Sequence, residues 1–204
     1  EEAGEFLGPD VRCHLLHMRG FSGLPACGFR EPMNFLKPMA DAIAAYVRTL
    51  KSGPVAVVGH SMGGIVSLIL ARDHADVVER LMVVDVPAFF SVLINPFATP
   101  GSIAGIAQHT RRSYAAKSKS QLQDELRSST PRLVSDPDMV ERIVKWGTTS
   151  DLATTADVMA EVMRSVSRRC VTTAICAPWS RPSADDCKAS SNCSFVIDPS
   201  RSRA

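Results

Sequence analysis

The stretch Pro54-Val55-Ala56-Val57-Val58-Gly59-His60-Ser61-Met62-Gly63-Gly64 decides how this chain is read. Val55 to Val58 form a short apolar run rich in β-branched residues, as in a buried strand. The run leads directly into Gly59-His60-Ser61-Met62-Gly63, which fits G-x-S-x-G. Ile65, Leu68 and Ile69 then share one helical face. To pass from strand to helix in so few residues, the backbone at Ser61 must adopt a strained conformation. Gly59 and Gly63 leave room for it because they lack a Cβ, and Gly64 adds a further glycine. Such a corner lifts the Ser61 hydroxyl off the sheet. It also puts the N–H of Met62 at a helix N-terminus, where free donors and the helix dipole favour a developing oxyanion. Ser61 is therefore the candidate nucleophile, and the Met62 N–H the candidate oxyanion donor. Gly59, His60, Gly63 and Gly64 shape the turn.

Outward from this corner, residues 11–18 read as a buried parallel strand and residues 19–32 as a loop rich in glycine and proline. Phe35, Leu36, Met39, Ile43, Val47 and Leu50 recur at helical spacing, which predicts an amphipathic helix over 32–51. Ser52-Gly53-Pro54 ends it. Residues 81–85 read as another buried strand. Alternating strands and helices predict a parallel sheet with right-handed crossovers. After residue 86 the pattern turns helical, with helices expected at about 102–117, 120–128, 137–147 and 154–164. Asp136-Pro137 is a helix start. Met139, Val140, Ile143 and Val144 form the apolar face of that helix, and Val158, Met159, Val162 and Met163 that of the next. Residues 87–100, rich in Pro and Phe, could line a pocket mouth.

Gly-His-Ser-Met-Gly-Gly after a strand resembles the α/β-hydrolase superfamily, of the capped serine hydrolase or esterase type. His17-Met18-Arg19-Gly20-Phe21-Ser22-Gly23 resembles the turn that precedes the corner there. That turn often reads Asp-x-Arg-Gly-x-Gly, and His17 stands where the Asp would be. The resemblance covers residues 1 to about 163 and fades beyond. It implies an α/β fold class: a partial α/β-hydrolase fold, a parallel sheet with flanking helices and a helical cap. Residues 1–86 would be part of the core, 87–163 the cap or lid, and 164–204 a low-order tail. A lid of this kind can exclude water and shape specificity.

The tail differs in composition from everything before it. Leu is absent after 152 and Gly after 147, while Arg, Ser and Cys crowd in. Residues 170–176 are a candidate for one more core strand. The abrupt change motivates the expectation of a truncated or frameshifted gene product, which resequencing the coding DNA would test. The opening Glu1-Glu2-Ala3-Gly4-Glu5-Phe6 is acidic and carries no export signal, so the expected location is cytoplasmic by default. It also reads as the middle of a helix.

The chain has 204 residues, 45% hydrophobic and 22% charged, which suits a soluble globular domain with a sizeable core. A net charge of +2 makes no electrostatic case for nucleic acid or an anionic membrane. No apolar run approaches the roughly 20 residues of a membrane span. Cys170, Cys176, Cys187 and Cys193 are spaced C-x5-C-x10-C-x5-C, unlike the tight pairs of zinc sites. Cys13 and Cys27 stand apart. No metal, no cofactor and no disulfide framework are expected.

A serine nucleophile needs a base, and the base an orienting acid. The resemblance implies the chain order Ser, acid, His. The histidines are His14, His17, His60, His74 and His109, and only His74 and His109 follow Ser61. His74 reads as a surface site at the end of the helix after Ser61, and His109 as a solvated face of the first lid helix. Asp85, at a strand end, and Asp185 and Asp186, in the tail, are the candidate acids, and none is assigned. The resemblance places a second oxyanion donor upstream of residue 1. The expectation is a serine hydrolase acting through Ser61 on an ester or similar acyl bond of a small molecule, with little or no turnover as the chain stands. The competing reading is a non-catalytic relative that binds ligands in the same pocket.

Overall fold

Alternation sets the centre of the sheet. In the computed structural model of this chain, described over residues 11–26, 33–87, 90–93, 95–99, 101–165 and 194–198, strand β2 (Val55–His60) buries Val55, Val57 and Gly59. Its other residues are half-buried, as the two-residue period of a strand requires. Beside it lie β1 (Arg12–Leu16), β3 (Val78–Val84) and β4 (Ser194–Asp198), in the order β1-β4-β2-β3. β2 and β3 are parallel, with Val57 opposite Leu81 and His60 opposite Val84. β4 runs antiparallel to both β1 and β2, so β1, β2 and β3 all point the same way.

Two expectations about these strands need correction. The first strand is five residues long rather than eight and only half-buried, and its hydrogen-bonding neighbour is the antiparallel β4. The strand expected over 81–85 starts three residues earlier, and Met82 on it is 54% exposed. The reason is the same for both: among the described strands β1 and β3 are the outer ones, and an outer strand is covered less than a central one. β4 was not foreseen. Its Phe195-Val196-Ile197 core is a short apolar run between Ser194 and Asp198, a weak signal in a tail of mixed composition. The candidate strand at 170–176 lies outside the described residues.

The chain divides into two compact units, and the sheet belongs to the first, residues 1–16, 37–88 and 166–204. Helix α1 (Leu36–Leu50) connects β1 to β2 and buries Leu36, Ala40, Ile43, Ala44 and Val47, a stripe at i, i+4, i+7, i+8 and i+11. Pro38 sits in its first turn, where no N–H is missed. Helix α2 (Met62–Asp73) follows β2. Here the face expected from Ile65, Leu68 and Ile69 is too narrow. Residues 62–67 are all buried, and so is Leu70, while Leu68 and Ile69 are only half-buried. A helix apolar all round is one enclosed on most sides.

The second unit, residues 17–36 and 89–165, is helical: α3 (Ile103–Ala115), α4 (Lys119–Ser129), α5 (Pro137–Thr149) and α6 (Leu152–Arg164). All four lie within a residue or two of their expected bounds. α3 packs on α6, and α4 on α5. Ser118 caps α4 in a reciprocal capping box with Gln121, Asp136 caps α5 ahead of Pro137, and Asp151 caps α6. Val144 and, on α6, Ala156, Val158, Ala160, Val162 and Met163 are buried. Arg111 of α3 pairs with Asp157 of α6.

The turn that follows β1 belongs to this helical unit. The Asp151 N–H donates to the Gly20 carbonyl at 2.8 Å, and the Ser22 N–H donates to Ser150 Oγ at 3.0 Å. Gly20 has φ of 87°, and a Cβ there would meet the Thr154 side chain at 2.7 Å. Phe21 and Phe35 stack edge to face. Glu161 of α6 accepts from the Phe35 and Leu36 N–H groups at 2.7 and 3.1 Å, a carboxylate on two backbone donors of the same unit. Burial is the largest influence on that carboxyl and raises its pKa, against the lowering effect of the two N–H bonds. No sequence signal pointed to Glu161, because its partners are backbone groups more than a hundred residues away.

Candidate active site

Ser61 is the single residue between the last of β2 and the first of α2. Its backbone has φ of 51° and ψ of −121°, a conformation that residues with a Cβ rarely adopt. The corner is held from both sides. The Ser61 N–H donates to the Val84 carbonyl of β3 at 3.0 Å, and the Ser61 carbonyl accepts from Gly64 and Ile65 at 2.9 and 3.2 Å. Ser61 stands at the N-cap of α2, yet its side chain makes no capping hydrogen bond. A serine there usually spends its oxygen on the helix. This hydroxyl is left for other chemistry.

The glycines explain how the corner closes. A Cβ on Gly59 would lie 2.4 Å from Ser67 Oγ and 2.5 Å from the Gly63 carbonyl oxygen. A Cβ on Gly64 would lie 2.4 Å from Val86 Cγ2 and 3.1 Å from the Gly59 carbonyl oxygen. Both 59 and 64 are thus positions of tight approach. The Gly63 carbonyl takes a hydrogen bond from the buried Ser67 hydroxyl at 2.8 Å. Ser67 has no place in a G-x-S-x-G pattern and went unnoticed in the sequence. Met62 begins α2, so its N–H is among the four that a helix leaves without an intrahelical acceptor. Negative charge placed beside it is favoured.

His60 ends β2. Its Nε2 lies 3.7 Å from Oδ2 of Asp85, just past the end of β3. Its Nδ1 is buried and has no hydrogen-bond partner among the described residues. Asp85 has φ of 54°, and its side chain is 82% exposed. Ser61, the Met62 N–H, His60 and Asp85 thus gather at the C-terminal ends of two parallel strands.

The remaining histidines are elsewhere. His74 is not the surface site expected. Its side chain is 20% exposed, and its Nε2 lies 2.8 Å from Oδ1 of Asp41 on α1. Asp41, bonded first by Lys37 and then by His74, is held below the usual carboxylate pKa. His74 follows the last residue of α2, which at 1.5 Å per residue is roughly 18 Å along the axis from Ser61. His14 Nδ1 pairs with the Tyr46 hydroxyl at 2.6 Å, and His17 is exposed. His109 is exposed on α3, in line with its reading as a solvated face. Asp185 and Asp186 lie outside the described residues. Among the described residues, no histidine is hydrogen-bonded to Ser61, and no group of three His, Cys, Asp or Glu side chains comes together to hold a metal. No described helix is long and apolar enough to cross a membrane.

A family model described as the alpha/beta hydrolase family matches residues 3–186, most of the chain. No curated protein and no solved structure matches it.

Proposed function

The chain belongs to the alpha/beta hydrolase family, and from that premise we propose that it is a serine hydrolase of the esterase type with Ser61 as nucleophile. The substrate is a small molecule carrying an ester or similar acyl bond. Ser61 Oγ attacks the carbonyl carbon, and the resulting oxyanion faces the Met62 N–H. Collapse breaks the bond to the alcohol oxygen, which leaves with the proton lost from Ser61, and the acyl-enzyme that remains is then hydrolysed by water. Residues 87–163 act as the lid. The observation that carries this reading is the geometry at Ser61: a residue in a costly backbone conformation whose hydroxyl is not spent on the helix it caps.

Turnover is low. With no histidine on the hydroxyl among the described residues, serine attacks as a neutral alcohol. What survives the loss of a base is the contribution of binding and the oxyanion donor, roughly a thousandfold to ten-thousandfold over water. A fluorophosphonate probe should label the chain slowly, and Ser61→Ala should abolish labelling. Robust hydrolysis of p-nitrophenyl acetate that is unchanged in Ser61→Ala would refute the assignment.

That no histidine among the described residues is bonded to Ser61 also favours a second reading, a relative that binds ligands in the same pocket without turning them over. A thermal-shift screen of small esters and acids separates the two. Stabilisation by ligand, with no acylation of Ser61 by the probe, supports binding alone.

A further inference from the structure

Two residues other than glycine with positive φ stand side by side at the end of the sheet. The parallel register pairs His60 with Val84, so the next level brings together Ser61 (φ 51°) and Asp85 (φ 54°). Residues held in sparsely populated backbone regions persist where the surroundings over-determine them, and they cluster at functional sites. Three contacts tie these two strand ends together. The Ser61 N–H reaches the Val84 carbonyl, Gly64 leaves room for Val86, and the His60 ring faces the Asp85 carboxylate.

From this juxtaposition we infer that His60 and Asp85 are a positioning pair for Ser61. The inference rests on the reading of Ser61 as nucleophile. Neither residue touches the reacting atoms; they act by fixing the backbone from which the Ser61 hydroxyl projects.

The ring's two nitrogens are in different situations. Nε2 lies 3.7 Å from Oδ2 of Asp85, and Nδ1 is buried with no hydrogen-bond partner among the described residues. The ring is one peptide bond from Ser61, so a change at Asp85 that lets the ring turn reaches the corner directly.

The test is the rate of fluorophosphonate labelling of the full chain at one fixed pH. Asp85→Ala and the shape-preserving Asp85→Asn should both label on the order of tenfold more slowly, as expected when a reacting group is slightly misplaced. Amide exchange at Val57 and Val58 should stay slow in both variants, showing that the sheet is intact, while the Ser61 amide exchanges faster. His60→Ala should slow labelling about as much as Asp85→Ala, and the double variant little further, because the two side chains act as one pair. Labelling of the wild type with unchanged rates in both Asp85 variants, or losses in His60→Ala and Asp85→Ala that simply add in the double variant, would overturn this inference alone. No labelling of the wild type would overturn the nucleophile reading and the positioning role together.

Discussion

Replacing Gly59 with alanine tests the corner most directly. The new methyl would lie 2.4 Å from Ser67 Oγ, 2.5 Å from the Gly63 carbonyl oxygen and 2.7 Å from the Gly63 carbonyl carbon. Ordinary contact needs roughly an ångström more, since non-bonded heavy atoms are at their best near 3.5 to 4 Å. Ser67 could rotate away, but that breaks its buried hydrogen bond to the Gly63 carbonyl. The buried Ser67 hydroxyl would then lack a partner, which costs about 1–3 kcal/mol. The carbonyl is backbone in the first turn of α2 and can yield only if β2 and α2 separate. Overpacking of this kind costs about 1–3 kcal/mol. Together the loss is on the order of 3–5 kcal/mol, a large part of the 5–15 kcal/mol of a typical domain. Urea unfolding followed by far-UV circular dichroism measures it, and amide exchange at Ser61, Gly64 and Ile65 localises it. Adding Ser67→Gly should restore only part of the loss, because the backbone clash remains. Gly64→Ala should cost less, since its nearest neighbour is the tip of the Val86 side chain. Gly105→Ala, in α3 with nothing within 4 Å, should stabilise by about 0.5–1 kcal/mol. If Gly59→Ala unfolds within about 0.5 kcal/mol of wild type, with Ser61 still protected, the close approach of β2 and α2 is wrong.

Other expectations follow from single sites. Ser61→Gly relieves the backbone cost at φ 51° and should raise stability by about 1 kcal/mol while abolishing labelling, a trade measured by thermal melts beside the probe assay. Burial raises the Glu161 pKa, so the folded state holds that proton more tightly than the unfolded chain. Its contribution is complete below the unfolded value of about 4.3 and is lost as pH rises through the folded value. Glu161→Gln should therefore match wild type in urea at low pH and exceed it at neutral pH; a gap that widened on acidification would refute this. Glu161→Ala strips the acceptor from the Phe35 and Leu36 N–H groups and should destabilise throughout, with faster exchange at both amides. Ser118→Ala removes the capping box of α4 and should cost about 0.5–2 kcal/mol by the same melts.

What could be read in the sequence was whatever depends on neighbours along the chain. The β-branched run, the G-x-S-x-G corner and the spacings of helices α3 to α6 are local patterns, and Asp136-Pro137 marks its helix start in two letters. What could not be read depends on distant partners. The exposure of Met82 follows from β3 lying at the sheet's margin, a fact of topology. The broad burial of α2 was hidden because Leu68 and Ile69 look as apolar as Val66 and Leu70. His74 reads as a surface residue until α1 brings Asp41 to it. Glu161 bonds backbone groups more than a hundred positions upstream. At the candidate site the corner was legible, whereas the meeting of His60 with Asp85 needed the register of β2 on β3.

β4 has a consequence for how the molecule is made. It stands between β1 and β2, so Arg12 reaches its hydrogen-bonded neighbour only when Asp198 is present. Chains dominated by such long-range pairings have high contact order and fold slowly. During synthesis, β1 and β2 wait with open ladders until residues 194–198 are translated, and open strand edges invite self-association. The helices of the second unit close through nearer neighbours and need not wait. Expression at reduced temperature, or with a chaperone that shields strand edges, should therefore improve the soluble yield of the full chain more than that of the helical unit's own segments.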